Sequence, residues 1–151
     1  MAESQALCLD SSAVVILLRQ EEGWERIRDL LARTDLDTVL PGPVLAESIR
    51  TARRRGLSTN PQQIASALLA SGARVEVETT SDLVRAAMLL ELSDTHPGGI
   101  NPHSGEQRTL SLGDALILAI TERLQCEVMT RDRYWDWMVD HDLLKVQVTE
   151  I

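Results

Sequence analysis

Apolar positions fall into short runs that alternate with segments of helical spacing. Residues 6–9 are an apolar run that stops at Asp10, and Ser11 and Ser12 then precede apolar residues 13–18, the pattern of a buried strand turning into a helix. Trp24, Ile27, Leu30 and Leu31 recur at helical spacing, and that segment ends near Thr34 and Asp35. Residues 38–40 make a second short strand, cut off by Pro41. Pro43 suits the first turn of a helix and Gly56 its C-terminal cap, while Asn60-Pro61 opens another helix that Gly72 ends. Residues 74–78 alternate as a third strand.

Leu83, Ala86, Ala87 and Leu90 stand at i, i+3, i+4 and i+7, and Leu112, Ala115, Leu116 and Ala119 repeat that spacing, so both segments read as amphipathic helices. Residues 126–129 and 145–148 supply two more strands. Short strands separated by helices predict an α/β fold: one domain over residues 1–151, an α/β/α sandwich around a central, mostly parallel sheet of about five strands. Residues 94–109, with Pro97, Gly98, Gly99, Pro102 and Gly105, form a connection longer than most in a small domain and read as a flexible loop or a lid.

Composition narrows the function. The chain has 151 residues and a formal net charge of −8, which excludes the overall basic surface of most duplex-binding proteins. Any nucleic acid must be held locally. Aromatic residues are only 3% and Phe is absent, so a broad base-stacking surface is not expected. Tyr134, Trp135 and Trp137 instead read as anchors of the last helix to an aliphatic core. Cys8 and Cys126 lie in apolar segments without metal spacing and read as buried free thiols. His96, His103 and His141 share no ligand spacing. No run of 18 apolar residues exists and no basic segment precedes a long hydrophobic stretch at the N-terminus, so the expectation is a cytoplasmic protein without membrane span or signal peptide.

In an open parallel sheet, ligands bind beyond the carboxyl ends of the strands. Four acids stand near that edge: Asp10 after the first strand, Glu47 in the first turns of the helix after the second, Asp114 in the first turn of a later helix, and Asp132 after the fourth strand. Such a cluster raises the pKa of its members unless a cation joins it, and a hard divalent metal with oxygen ligands resolves the conflict. Each acid also has a plainer role. Asp10 can cap the helix at Ser11, Ser111 to Asp114 has the spacing of a capping box, Asp132 can stabilise a helix N-terminus, and Glu47 can be solvated surface.

Four motifs in order carry a resemblance. Leu7-Cys8-Leu9-Asp10-Ser11-Ser12-Ala13 looks like the opening strand and Asp-Ser/Thr-Ser motif of the PIN-domain nucleases; Val44-Leu45-Ala46-Glu47, Ser111-Leu112-Gly113-Asp114-Ala115 and Thr130-Arg131-Asp132-Arg133 resemble their second, third and fourth motifs. The size is similar to that of the VapC toxins of toxin–antitoxin pairs. The resemblance implies a ribonuclease using Mg²⁺ or Mn²⁺, with Asp10 and Asp114 as primary metal ligands, Glu47 as a ligand or water-orienting base, and Asp132 as a ligand partly through water. It further implies RNA as substrate, an antitoxin protein as partner and a homodimer, for which exposed Leu or Val on the early helices is expected. Two departures are Gly113, where Ala is common, and the long 94–109 connection, which bears on access and substrate choice.

Ser12 and Thr130 can support a carboxylate or metal-bound water by hydrogen bonding, or act only as caps. Arg50 and Arg54 share the helical face of Glu47, and Arg131 and Arg133 flank Asp132, so these four can hold RNA phosphates or simply stay solvated. A competing reading is a non-catalytic interaction module or a receiver-like regulatory domain, which is also a small parallel α/β fold with acids at its strand ends.

Overall fold

The structure is a computed structural model that describes residues 5–151. In chain order it runs β1 (Gln5–Leu9), α1 (Ser11–Arg19), α2 (Trp24–Leu31), β2 (Leu36–Pro41), α3 (Gly42–Arg54), α4 (Pro61–Ala70), β3 (Arg74–Glu76), α5 (Thr80–Thr95), α6 (Leu112–Leu124), β4 (Glu127–Thr130), α7 (Arg133–Asp140) and β5 (Gln147–Glu150). The five strands form one sheet in the order β3-β2-β1-β4-β5, and every pairing is parallel. The sheet is therefore wholly rather than mostly parallel, with helices flanking it, because each strand is joined to the next by a helical crossover. A receiver-type sheet has its third strand beside its first. Here β3 is an edge strand two places from β1, so the receiver reading is excluded.

The chain runs outward from β1 to β2 and β3, then returns to the other side of β1 for β4 and β5. The order reverses between β1 and β4, which makes their carboxyl ends the switch point where a crevice opens. Cys8 and Leu9 on β1, Val39 and Leu40 on β2 and Val128 on β4 are fully buried, and β1 stands at the middle of the core. Both cysteines are buried free thiols, and the fold brings their sulfurs to 2.7 Å of each other. Trp135 is fully buried and Tyr134 nearly so, so α7 is anchored as expected, and Trp137 stacks on Tyr134 and His141.

Several boundaries and faces differ from expectation. The third strand ends at Glu76 instead of reaching residue 78, because β3 is an edge strand and Val77, 70% exposed, already leads into the Thr79 helix cap. The last strand starts two residues later than expected; Lys145 is held before it by its backbone N–H donating to Glu122. On α5 the buried stripe is Asp82, Ala86, Leu89 and Ser93, while Leu83 is half-exposed and Ala87 faces solvent. Helix α6 is less amphipathic than its spacing suggests, since residues 117–121 are all buried while Leu112 is exposed. Large apolar side chains exposed on helices sit on α4 and α5 (Leu69, Leu83, Val84, Met88) and at the start of α6, not on the early helices. Among the described residues, no helix is long and apolar enough to cross a membrane.

The misread face of α5 has a polar cause. Asp82 completes a capping box with Thr79, accepting the Thr79 N–H at 2.8 Å, and also receives the Arg123 guanidinium of α6 at 3.0 Å. Burial works against its charge, but Arg123 and the Thr79 cap outweigh it and hold the carboxyl below the usual range. Asp82→Ala is expected to cost about 2–3 kcal/mol in urea denaturation at pH 7, by losing a cap and leaving a cation underpaired. A depressed folded pKa stabilises above the unfolded value, so the difference should shrink as pH falls below about 4. Equal stability of the two proteins at pH 7 would contradict the clamp.

Candidate active site

Asp10, Glu47, Asp114 and Asp132 line one cavity of about 750 Å³, together with Ser11, Ser12, Arg131, Arg133 and Tyr134. The fold brings them there from the ends of β1 and β4 and the first turns of α3 and α6. Asp10 is the only one of the four that is buried. Its Oδ1 accepts the Ser11 N–H at 2.7 Å, and its Oδ2 accepts the Thr130 hydroxyl at 2.7 Å and the Ser12 hydroxyl at 3.3 Å. Thr130 Oγ1 also accepts the Asp132 N–H at 3.0 Å, and Ser12 Oγ accepts the Arg131 N–H at 3.1 Å. Ser12 and Thr130 thus tie the end of β1 to the end of β4.

The caps proposed as alternatives are present, and they do not compete with the cluster. Ser111 and Asp114 form a capping box in which Asp114 Oδ2 accepts the Ser111 N–H at 3.0 Å. Asp132 caps α7 by accepting the Tyr134 N–H at Oδ1, also at 3.0 Å. Each cap uses one oxygen, and among the described residues the second oxygen of Asp114 and of Asp132 has no hydrogen-bond donor. Glu47 lies against the start of α6: a Cβ added to Gly113 would stand 3.8 Å from Glu47 Oε2. That is ordinary contact, so Ala at this position would fit without displacing the acid.

The acids feel one another. Burial pushes Asp114 up to about 6, the Ser111 cap opposes the rise, and the charges of Asp10 and Asp132 add to it. Burial likewise raises Asp10 against the pull of Thr130 and Ser11, with Glu47 adding to the rise. Glu47 is raised by partial desolvation and by the Asp114 charge. Asp132 is raised by burial, while the Tyr134 N–H and the Arg108 guanidinium pull it back. Four carboxylates so arranged form an electronegative pocket with an all-oxygen donor set, which suits a hard divalent cation. Among the described residues no three His, Cys, Asp or Glu side chains stand as a group that could hold a metal ion by themselves. An open arrangement fits an ion that keeps part of its water shell.

Of the arginines singled out, Arg131 and Arg133 line the cavity, whereas Arg50 and Arg54 are exposed on α3 outside its wall. Arg131 reaches Glu21 at 4.0 Å and Arg133 reaches Glu150 at 3.2 Å. His103 does not line the cavity. Sequence reasoning missed Arg108, which does line it, as do Asn101, Ser104, Glu106, Gln107 and Thr109 of the same connection. No local signal marked Arg108, because its placement depends on a hairpin within the connection expected to be a flexible loop. Helix α5 runs on to Thr95, and Ile100 then bridges Gln107 in antiparallel fashion.

The sequence matches the PIN domain family over residues 7–138. It finds no significant match among curated proteins. Among solved structures, it is similar to VapBC-1 of nontypeable Haemophilus influenzae, with a TM-score of 0.65 and 16% identity over 97% of this chain and 98% of the other. A toxin–antitoxin complex from Klebsiella pneumoniae gives a TM-score of 0.58 and 18% identity over 84% of this chain and 87% of the other. VapC20 of Mycobacterium tuberculosis, described as a Sarcin-Ricin loop cleaving toxin, gives a TM-score of 0.60 and 18% identity over 81% and 86% respectively.

The raised acid at Asp114 makes a stability prediction. A carboxyl with a higher pKa in the folded than in the unfolded chain favours folding when protonated, so its ionisation costs stability as pH rises from about 4 through 6. Asp114→Asn keeps an oxygen for the Ser111 cap and removes the charge. It should stabilise the protein by about 1–3 kcal/mol at pH 7.5 and by little at pH 4, measured by urea denaturation without divalent metal. A variant less stable than wild type at pH 7.5 would contradict the electrostatic account.

Proposed function

Because the chain belongs to the PIN-domain family, we propose that it is a metal-dependent endoribonuclease that hydrolyses RNA phosphodiester bonds in the cytoplasm as the toxin of a toxin–antitoxin pair. The observation that carries this reading is the convergence of Asp10, Glu47, Asp114 and Asp132 on one cavity at the switch point of a parallel sheet. The similarity to VapC20, a toxin described as cleaving the Sarcin-Ricin loop, supports RNA as substrate. The toxin–antitoxin complex among the similar structures supports an antitoxin partner. The half-exposed Leu83, Val84 and Met88 on α5 support a second copy of the chain as another partner.

Asp10 and Asp114, with Asp132 beside them, would hold Mg²⁺ or Mn²⁺. The ion, when bound, supplies positive charge to the phosphate and a water of lowered pKa. The remaining work is done by the protein. Ser12 and Thr130 fix the Asp10 carboxylate, so its two oxygens cannot swing away from the cavity. The caps do the same for Asp114 and Asp132, fixing one oxygen of each and turning the other free. Glu47, the most exposed of the four acids, orients the attacking water and takes its proton at a carboxylate oxygen. Arg131 and Arg133 contact phosphates at the cavity wall, and Arg50 and Arg54 serve flanking nucleotides.

The test is metal binding joined to cleavage. Wild-type protein freed of antitoxin should bind Mn²⁺ in calorimetry and cut RNA internally with Mg²⁺ or Mn²⁺. Asp10→Asn and Asp114→Asn should each abolish the saturable heat and slow cleavage by at least about a hundredfold, in proteins whose circular dichroism is unchanged. Saturable Mn²⁺ binding that survives both substitutions, or neither binding nor cleavage in the wild type, would overturn the reading.

A further inference from the structure

Residues 98–108 form a hairpin closed at its base by a pair of backbone bonds: Gly98 N–H donates to the Arg108 carbonyl at 2.9 Å, and Arg108 N–H to the Gly99 carbonyl at 2.6 Å. Asn101 N–H donates to the Glu106 carbonyl at 2.7 Å nearer the tip, and Gly99 and Gly105 take the left-handed backbone that the bends require. A relay of hydroxyls clamps this hairpin to the body. Leu110 N–H donates to Ser93 Oγ at 2.8 Å, Ser93 Oγ meets Tyr134 Oη at 3.0 Å, and Tyr134 Oη donates to the His96 carbonyl at 2.8 Å. The Gly98 backbone packs so closely on the Tyr134 ring that a Cβ there would overlap it. Tyr134 follows Asp132 by two residues, so the hairpin is referenced to the acidic cluster itself.

What the clamp delivers to the cavity is Arg108. It is half-buried, it lines the same cavity as Asp132, and its charge acts on that acid. Yet among the described residues no carboxylate stands within ion-pair distance of its guanidinium, whereas Arg131 and Arg133 are paired to Glu21 and Glu150. A partly desolvated, unpaired cation costs stability unless an anion completes it. A residue whose task was to neutralise Asp132 would pair with it directly. Its planar fork suits a phosphodiester, and its positive charge among the acids that line the cavity offsets their repulsion of that anion.

We propose that Arg108 is a phosphate-binding residue for the RNA, held by the Tyr134-clamped hairpin beside Asp132, and that this hairpin sets where the RNA backbone lies relative to the acids. The proposal rests on the endoribonuclease reading. It is tested on the full chain with a fluorescein-labelled single-stranded RNA of mixed sequence, by anisotropy in EDTA over a KCl series, beside Mg²⁺-dependent cleavage of the same RNA. Arg108→Ala should weaken binding about tenfold and reduce the slope of log affinity against log salt by about 0.7, the share of one phosphate contact on a single strand. Arg108→Lys should restore the slope but only part of the affinity, because charge returns without the fork. Gly98→Ala, which forces the hairpin off Tyr134, should lose the same share of slope while still binding Mn²⁺. Wild-type cleavage with an unchanged slope in Arg108→Ala would overturn the role of Arg108 alone. A wild type that neither binds the RNA at low salt nor cuts it would overturn the endoribonuclease reading, and this inference with it.

Discussion

A buried carboxylate at the end of the central strand is the constraint on which the site depends. Asp10 is almost wholly removed from water, and its carboxyl oxygens are held by the Ser11 N–H and by hydroxyls from Ser12 and Thr130, which oppose the rise that burial imposes on its pKa. Thr130 belongs to β4, so the hydrogen bond that sustains Asp10 also fixes β4 against β1 where the order of the sheet reverses. Because Thr130 accepts the Asp132 N–H as well, one hydroxyl sets the relative position of two acids from strands far apart in sequence. Charge-assisted bonds in a dry setting are both strong and directional. A small domain can therefore hold a cluster of like charges with little slack.

Most of this was legible in the sequence, and the places where it was not share a cause. The strand–helix alternation gave the parallel sheet, and the four acids stood at predicted strand or helix ends, as Asp10 and Asp114 illustrate. Whether those acids were caps or site members was not legible, since short oxygen-bearing side chains serve both ends. In the folded chain Asp114 and Asp132 cap with one oxygen each and still line the shared cavity. The buried face of α5 was misread because it contains Asp82 and Ser93, whose polar atoms are satisfied by Arg123 and Tyr134 from distant segments. The hairpin before α6 was hidden for the same reason. Its glycines and prolines signal a loop, while what orders it is the ring and hydroxyl of Tyr134.

Net charge and local charge act at different ranges in this protein. A chain of net charge −8 does not draw RNA from a distance, and the cavity itself is electronegative. Under the proposed function, binding then comes from cations near the cavity, and their pairing decides which are available. Arg131 and Arg133 have partners to release, at an energetic cost set by exposed pairs of about 0–1 kcal/mol each. Arg108 has none to release. A few fixed contacts of this kind reward only backbones of the right shape, which a broad basic field does not.

The same electrostatics link stability to function. Every acid in the cluster has its carboxyl raised by burial, and Asp10, Glu47 and Asp114 are raised further by their neighbours, so the fold without a bound cation carries the cost of mutual repulsion. That cost is opposed by the scaffold beneath: a fully buried Trp135 under α7, a fully buried stretch of α6, and the Arg123 clamp between α5 and α6. A cation or an inserted basic side chain would relieve the repulsion by favourable interaction with the same oxygens. The two would exclude each other, since both need the free oxygens of Asp114 and Asp132. Under the proposed function, an antitoxin that offered a basic side chain to this cavity would compete with the metal for the same oxygens.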